Sequence, residues 1–246
     1  MRIPYLTLYV YLLVPLTFQA QCTSNGNGNW TNGANWTGCA GPGGIPAATD
    51  NVIIDGHQIT INTNQTCASL TFLSAGSNLT QLDVTANSLS ITSNLQFTQS
   101  NGGNDERLHI DGAAIVNVGG GLTIDQNNGD DIEIYINDNS GTNAQLNVTG
   151  NFTIDKDGAD DIRIRVDNAS SLFSVGGGAT INHNQGNGDI IIFDLDDGNF
   201  NVTGNLTVST ASNAGDVDFD MDGGDISCAN LTNNLLGGDD IHFYVD

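Results

Sequence analysis

Apolar and polar residues alternate along most of this chain. In residues 146–168, LNVTGNFTIDKDGADDIRIRVDN, Phe152 and Ile154 alternate with Thr153 and Asp155, and Ile162, Ile164 and Val166 alternate with Arg163 and Arg165. A period of two sends successive side chains to opposite faces of a strand, so the segment predicts short β-strands with one apolar face. A helical solenoid would need apolar residues at i, i+3 and i+4 instead. Gly, Asn and Asp fill the gaps between these runs, which is turn chemistry.

The pattern recurs. Equivalent positions run from Cys67 through Ile91, Val118, Val148, Val175 and Val202 to Cys228, at intervals of 24, 27, 30, 27, 27 and 26 residues. A propeller blade needs some 40 residues for its four strands, whereas about 27 fit one coil of three short strands. The sequence therefore predicts an all-β, single-stranded right-handed parallel β-helix of about 6–7 coils of ~27 residues, with an N-terminal cap. Coils stacked about 4.8 Å apart would bring equivalent residues into columns. One expected inward column is Ile124, Ile154, Ile181 and Val208, and another on the third strand is Ile134, Ile164, Phe193 and Phe219. A single coil cannot bury its apolar face alone, so stability must come from its neighbours.

Three regions follow from the same reading. Residues 1–20 are mostly apolar after Arg2 and read as a secretory signal peptide, interrupted by Pro4 and Pro15. Nothing after them is long and apolar enough to span a bilayer as a helix. Residues 21–50 are outside the repeat and carry both tryptophans, Trp30 and Trp36. They suit a cap over the first coil's open end, or alternatively a sugar-stacking platform. Residues 51–246 are the β-helix, which stops at IHFYVD inside a third strand without a recognisable cap. That end suits either a fragment of a longer chain or end-to-end self-association. Cys22 and Cys39 lie 17 residues apart and can be oxidised in an exported chain, with Cys39–Cys67 as the alternative bridge. Cys67 and Cys228 sit six coils apart, roughly 29 Å at strand spacing, and cannot pair with each other.

The order Trp30, Trp36, Pro46, D-N-V-I-I-D-G at 50–56, I-T-I at 59–61, C-A-S-L-T-F at 67–72 and then N-V-G-G-G-L-T-I coils resembles secreted right-handed β-helix proteins of the Bacteroidetes type. The resemblance implies an exported or cell-surface repeat protein with a structural or adhesive role, and a glycan or surface protein as partner. Such proteins often end in a sorting domain, which is not present in this sequence.

Charge sharpens the picture. There are 28 acidic residues against 5 Lys and Arg, a net charge of −23. Such a surface repels nucleic acid and anionic membranes and attracts cations. The acids are also periodic. Asp105, Asp131, Asp161, Asp189, Asp216 and Asp240 precede the third strand, and Asp111, Asn137, Asp167, Asp196, Asp222 and Asp246 follow it. Unit charges 4.8 Å apart repel by about 0.9 kcal/mol in water and roughly 3.5 kcal/mol at an effective dielectric of 20, so a ladder of them needs relief. Asp216, Asp218, Asp220 and Asp222 share one outward face, with Asp194 of the preceding coil beside Asp220. With Asp131 and Asp161 these are the candidate metal ligands, and hard oxygen donors in such number suit calcium.

Catalytic signals are few. No Ser-His-Asp order, phosphate-binding glycine loop or CxxC pair appears, and the GGG runs at 119–121 and 176–178 join two strands rather than opening a helix. The alternative to a non-enzymatic solenoid is a polysaccharide-lyase-like enzyme in which Arg165 abstracts a proton, with Arg163 and Asp194 alongside. Expected cross-strand pairs are Glu133 with Arg163 and Arg165 with Asp194. A remote alternative is ice binding by the threonine column Thr71, Thr123, Thr153, Thr180, Thr207 and Thr232.

Overall fold

The computed structural model describes residues 21–74, 78–99, 104–127, 130–136, 143–185, 189–212, 214–235 and 240–245. The expected signal peptide, and Asn137 and Asp246 of the outer ladder, lie outside the described residues. The chain winds into a parallel β-solenoid of three sheets and about seven turns. A representative coil runs through Gln145–Val148 on the first sheet, Phe152–Lys156 on the second and Ile162–Val166 on the third. The next coil repeats this with Leu172–Val175, Ala179–His183 and Ile191–Asp194.

The register is the one the repeat demands. Val148, Val175 and Val202 are consecutive ladder partners on the first sheet. Ile124, Ile154, Ile181 and Val208 are partners on the second, and Ile134, Ile164, Phe193 and Phe219 on the third. These inward residues form one buried cluster from Cys22 to Phe219. Where a column is aromatic, the rings stack at the coil spacing. Phe193, Phe219 and Phe243 have successive centroid distances of 4.8 Å. A one-residue slip would turn all these side chains outward, so the core pins the register.

Pairing starts earlier than alternation alone suggests. Gln21–Ser24 already lies parallel to Asn51–Asp55 in the second sheet, and Gly28–Asn29 pairs with the strand Gln58–Ile61 in the third. Trp36–Thr37 then turns back antiparallel on Gln21–Ser24 and closes that edge. Both indoles are buried over the first coil, 5.0 Å apart edge to face, with Trp36 Nε1 donating to the Trp30 carbonyl at 2.8 Å. They therefore cap the core and present no ring to a sugar. Asp50 holds the loop beneath them, its Oδ2 accepting the Ala40 and Ala47 amides at 2.9 and 2.8 Å. The Cys22–Cys39 disulfide ties the same unit together. Cys67 is buried and free, which excludes the Cys39–Cys67 bridge. Burial, reinforced by the Asp50 charge, pushes the Cys67 thiol up to about 12, so it behaves as a small hydrophobe.

The corners explain the turn residues. Between the first and second sheets, Asn94 Oδ1 accepts the Gly121 amide at 2.9 Å and Asn151 Oδ1 accepts the Gly178 amide at 3.0 Å. A Cβ on Gly120 or Gly177 would come within 2.2 Å of the Asn94 or Asn151 side-chain oxygen. From Asn94 to Asn205, asparagine corners and GGG corners thus alternate because each asparagine side chain occupies the space of the neighbouring corner.

Candidate functional site

Two outward faces merit attention. The third sheet carries two columns of side chains, both in the expected register. One is Arg107, Glu133, Arg163, Ile192, Asp218 and His242, and beside it run His109, Tyr135, Arg165, Asp194, Asp220 and Tyr244. The ion pairs differ from expectation in part. Glu133 pairs with Arg107, Nε to Oε2 at 2.6 Å, rather than with Arg163, and also accepts the Tyr135 hydroxyl at 2.9 Å. Arg165 reaches Asp194 at 3.7 Å as expected, but its closest partner is Asp167 at 2.7 Å, with Asp196 at 3.8 Å. Burial opposes charge on Arg165, yet the Asp167 hydrogen bond and the three surrounding carboxylates outweigh it and raise its pKa. An arginine held this way keeps its proton, so the arrangement suits an ion-pair clamp rather than a general base. Burial raises the pKa of Asp194, with the Asp220 charge adding to it and the Arg165 charge working against it.

The candidate metal ligands separate into three groups. Asp131 and Asp161 are corner groups: Asp131 Oδ1 accepts the Asp161 amide and Asp161 Oδ1 accepts the Ile190 amide, both at 2.9 Å. Asp216 Oδ1 does the same for the Asp240 amide at 3.0 Å. Backbone donors thus relieve part of the ladder's repulsion, with Asp131, Asp161 and Asp216 each satisfying a peptide N–H in the next coil. Asp220 is exposed in register between Asp194 and Tyr244, and Asp222 is exposed beyond the strand. Only Asp216 and Asp218 converge, together with His242: one ligand atom from each lies within 4.8 Å of the others. His242 Nδ1 is 2.8 Å from Asp218 Oδ1, and that hydrogen bond raises the imidazole pKa. The sequence reading overlooked His242, although the repeat places it directly over Asp218.

The first sheet is different in kind. Its outward column is Thr66, Ser90, Asn117, Asn147, Ser174, Asn201 and Ser227, with no charge along it. Asn147 Nδ2 donates to Asn117 Oδ1 at 3.1 Å, and the Ser174 hydroxyl donates to Asn147 Oδ1 at 2.8 Å. The adjacent column runs Ser88, Ile115, Gln145, Leu172, Asn199 and Asp225, with its single carboxylate at the last coil. A shallow groove of about 500 Å³ runs along Asn117, Asn147, Ser174 and Asn201 and is closed on one side by Thr149 and Thr203. On a chain of net charge −23, this strip is neutral, rich in amides and hydroxyls, and flanked by half-exposed apolar groups.

The threonines of the second sheet also stack as one column interrupted by Gln96. The next outward column runs Thr98, Asp125, Asp155, Asn182 and Ser209, so the second threonine rank a flat ice-binding face requires is replaced by polar and acidic groups. No helix among the described residues is long and apolar enough to cross a membrane. No family model matches this chain, and neither a curated protein nor a solved structure matches it.

Proposed function

We propose that this protein is a non-catalytic, exported β-solenoid that serves as a rigid adhesive surface element and takes an uncharged glycan lengthwise along its first sheet. One observation carries the reading: the neutral amide and hydroxyl column with its 500 Å³ groove, on a chain otherwise dominated by carboxylates. Amides and hydroxyls pair with sugar hydroxyls. The absence of charge along the column disfavours charged ligands in favour of neutral ones. Export is supported by the Cys22–Cys39 disulfide, which persists in oxidising compartments, and by the leader-like residues 1–20. A screen of the mature chain on a glycan array tests the idea, with Asn147→Asp as the control. The expected result is binding of neutral polysaccharides, weakened about tenfold or more by the introduced charge, or roughly 1.4 kcal/mol. Binding of acidic glycans only, or equal binding by the variant, overturns the reading.

A second reading concerns divalent cations. Among the described residues of the acidic face, candidate ligand atoms approach one another at Asp216, Asp218 and His242. Its mixed carboxylate and imidazole donors suit a zinc-like ion better than calcium, which prefers oxygen alone. Calorimetric titration of the mature chain with each ion distinguishes them. Heat from zinc but not calcium, abolished in Asp218→Asn, supports the cluster. Silence with both ions removes it.

A further inference from the structure

The inside of the corner between the second and third sheets is polar. Gln99, Gln126, Lys156, His183 and Thr210 are consecutive members of one inward column at the end of the second-sheet strands, and all five are buried. Across the corner, Thr80 and Glu106 are ladder partners on the third sheet, both fully buried. Several of these groups find partners within the chain. Lys156 Nζ donates to the Gly158 and Asp160 carbonyls at 2.7 and 2.5 Å. Thr80 Oγ1 accepts the Gly56 amide at 2.8 Å, and the buried Ser74 hydroxyl donates to the Asn104 carbonyl at 2.9 Å. Gln126 Nε2 donates to the Asp130 carbonyl at 3.1 Å.

Five buried atoms in two successive coils have no hydrogen-bond partner among the described residues: Gln99 Oε1 and Nε2, both carboxyl oxygens of Glu106, and Gln126 Oε1. Left dry, they would cost a large share of a domain's net stability. Ordered water is the usual partner of such groups, each molecule making about three hydrogen bonds. We infer that this corner encloses a bound-water site in which water bridges the Gln99 carboxamide to the Glu106 carboxyl and onward to Gln126 Oε1.

The donor and acceptor balance selects water over an ion. Gln99 offers two N–H donors and an acceptor, and a protonated Glu106 offers one O–H donor and a carbonyl oxygen. Burial keeps that carboxyl neutral, pushing its pKa up to about 8; the Ser74 amide, close by but not aligned for a hydrogen bond, pulls the other way, and the Asp55 charge adds to the rise. A cation would require the ionised carboxylate that these surroundings oppose.

The test uses the full chain. In a hydrated corner, Gln99→Met removes one end of the bridge and strands Glu106, so the melting temperature should fall. Glu106→Met should lower it likewise. The double variant, which removes both ends, should lose less than the sum of the two. A rise in melting temperature for Gln99→Met, or strictly additive losses, overturns the inference. A crystal structure of the full chain resolving ordered water between Gln99 and Glu106 supports it directly, and a dry corner at that resolution refutes it.

Discussion

Glu106 makes stability depend on pH in a calculable way. Its carboxyl is fully buried, and its pKa rises from an ordinary 4.5 to about 8, chiefly through burial. The folded chain therefore holds a proton that the unfolded chain releases between pH 4.5 and 8. Where the folded state binds more protons, stability falls as pH rises. The contribution is intact below pH 4.5, declines through that window and is lost above pH 8. At 1.36 kcal/mol per pH unit, the total is about 5 kcal/mol. Glu106→Gln keeps the shape and a neutral polar group but cannot ionise. It should match the parent near pH 4 and exceed it by up to about 5 kcal/mol at pH 9. Guanidinium melts at pH 4, 6, 7.5 and 9 measure the difference, with Trp30 and Trp36 fluorescence reporting on the nearby N-terminal coils. Taking parent minus variant cancels the pH dependence of the other carboxylates. A difference that stays constant from pH 4 to 9 would show that Glu106 is not a buried neutral acid.

Gly177→Ala should destabilise by about 1–3 kcal/mol, because the new methyl meets Asn151 Oδ1 at 2.2 Å and the Gly150 carbonyl at 2.8 Å. Adding Asn151→Gly should recover part of that loss in thermal melts, and no recovery would count against the alternating corner. Replacing Cys22 and Cys39 by serine should cost about 2–4 kcal/mol. The loss should register first in tryptophan fluorescence, since each coil contacts only its neighbours; a uniform loss along the rod would contradict this.

The stacking of this chain is legible in its sequence because it is periodic. Side chains that must lie over one another obey the same steric and hydrophobic rule every coil, so Val148, Val175 and Val202 announce their alignment before any coordinates exist. The same logic correctly placed Arg165 near Asp194 and grouped Asp216 with Asp218. Local pairing was less legible. Whether Glu133 turns to Arg107 or Arg163 depends on side-chain reach between coils of similar composition, and a repeat cannot choose between its two neighbours. That Asp131 and Asp161 each accept a backbone amide was not legible either, because a peptide N–H has no letter in the sequence.

What the sequence determined by itself is the period, the strand faces and the neutral or acidic character of each outward column. All of these are one-dimensional properties that stacking only copies. Tertiary structure alone decided how the corners close. Gln99, Gln126 and Lys156 stand at inward positions, yet their polarity reads as the end of a strand; only the wrapping of the third sheet over the second seals them from solvent. The physical reason is that burial at a corner depends on the angle between two sheets and on the loop joining them, and neither repeats strictly from coil to coil.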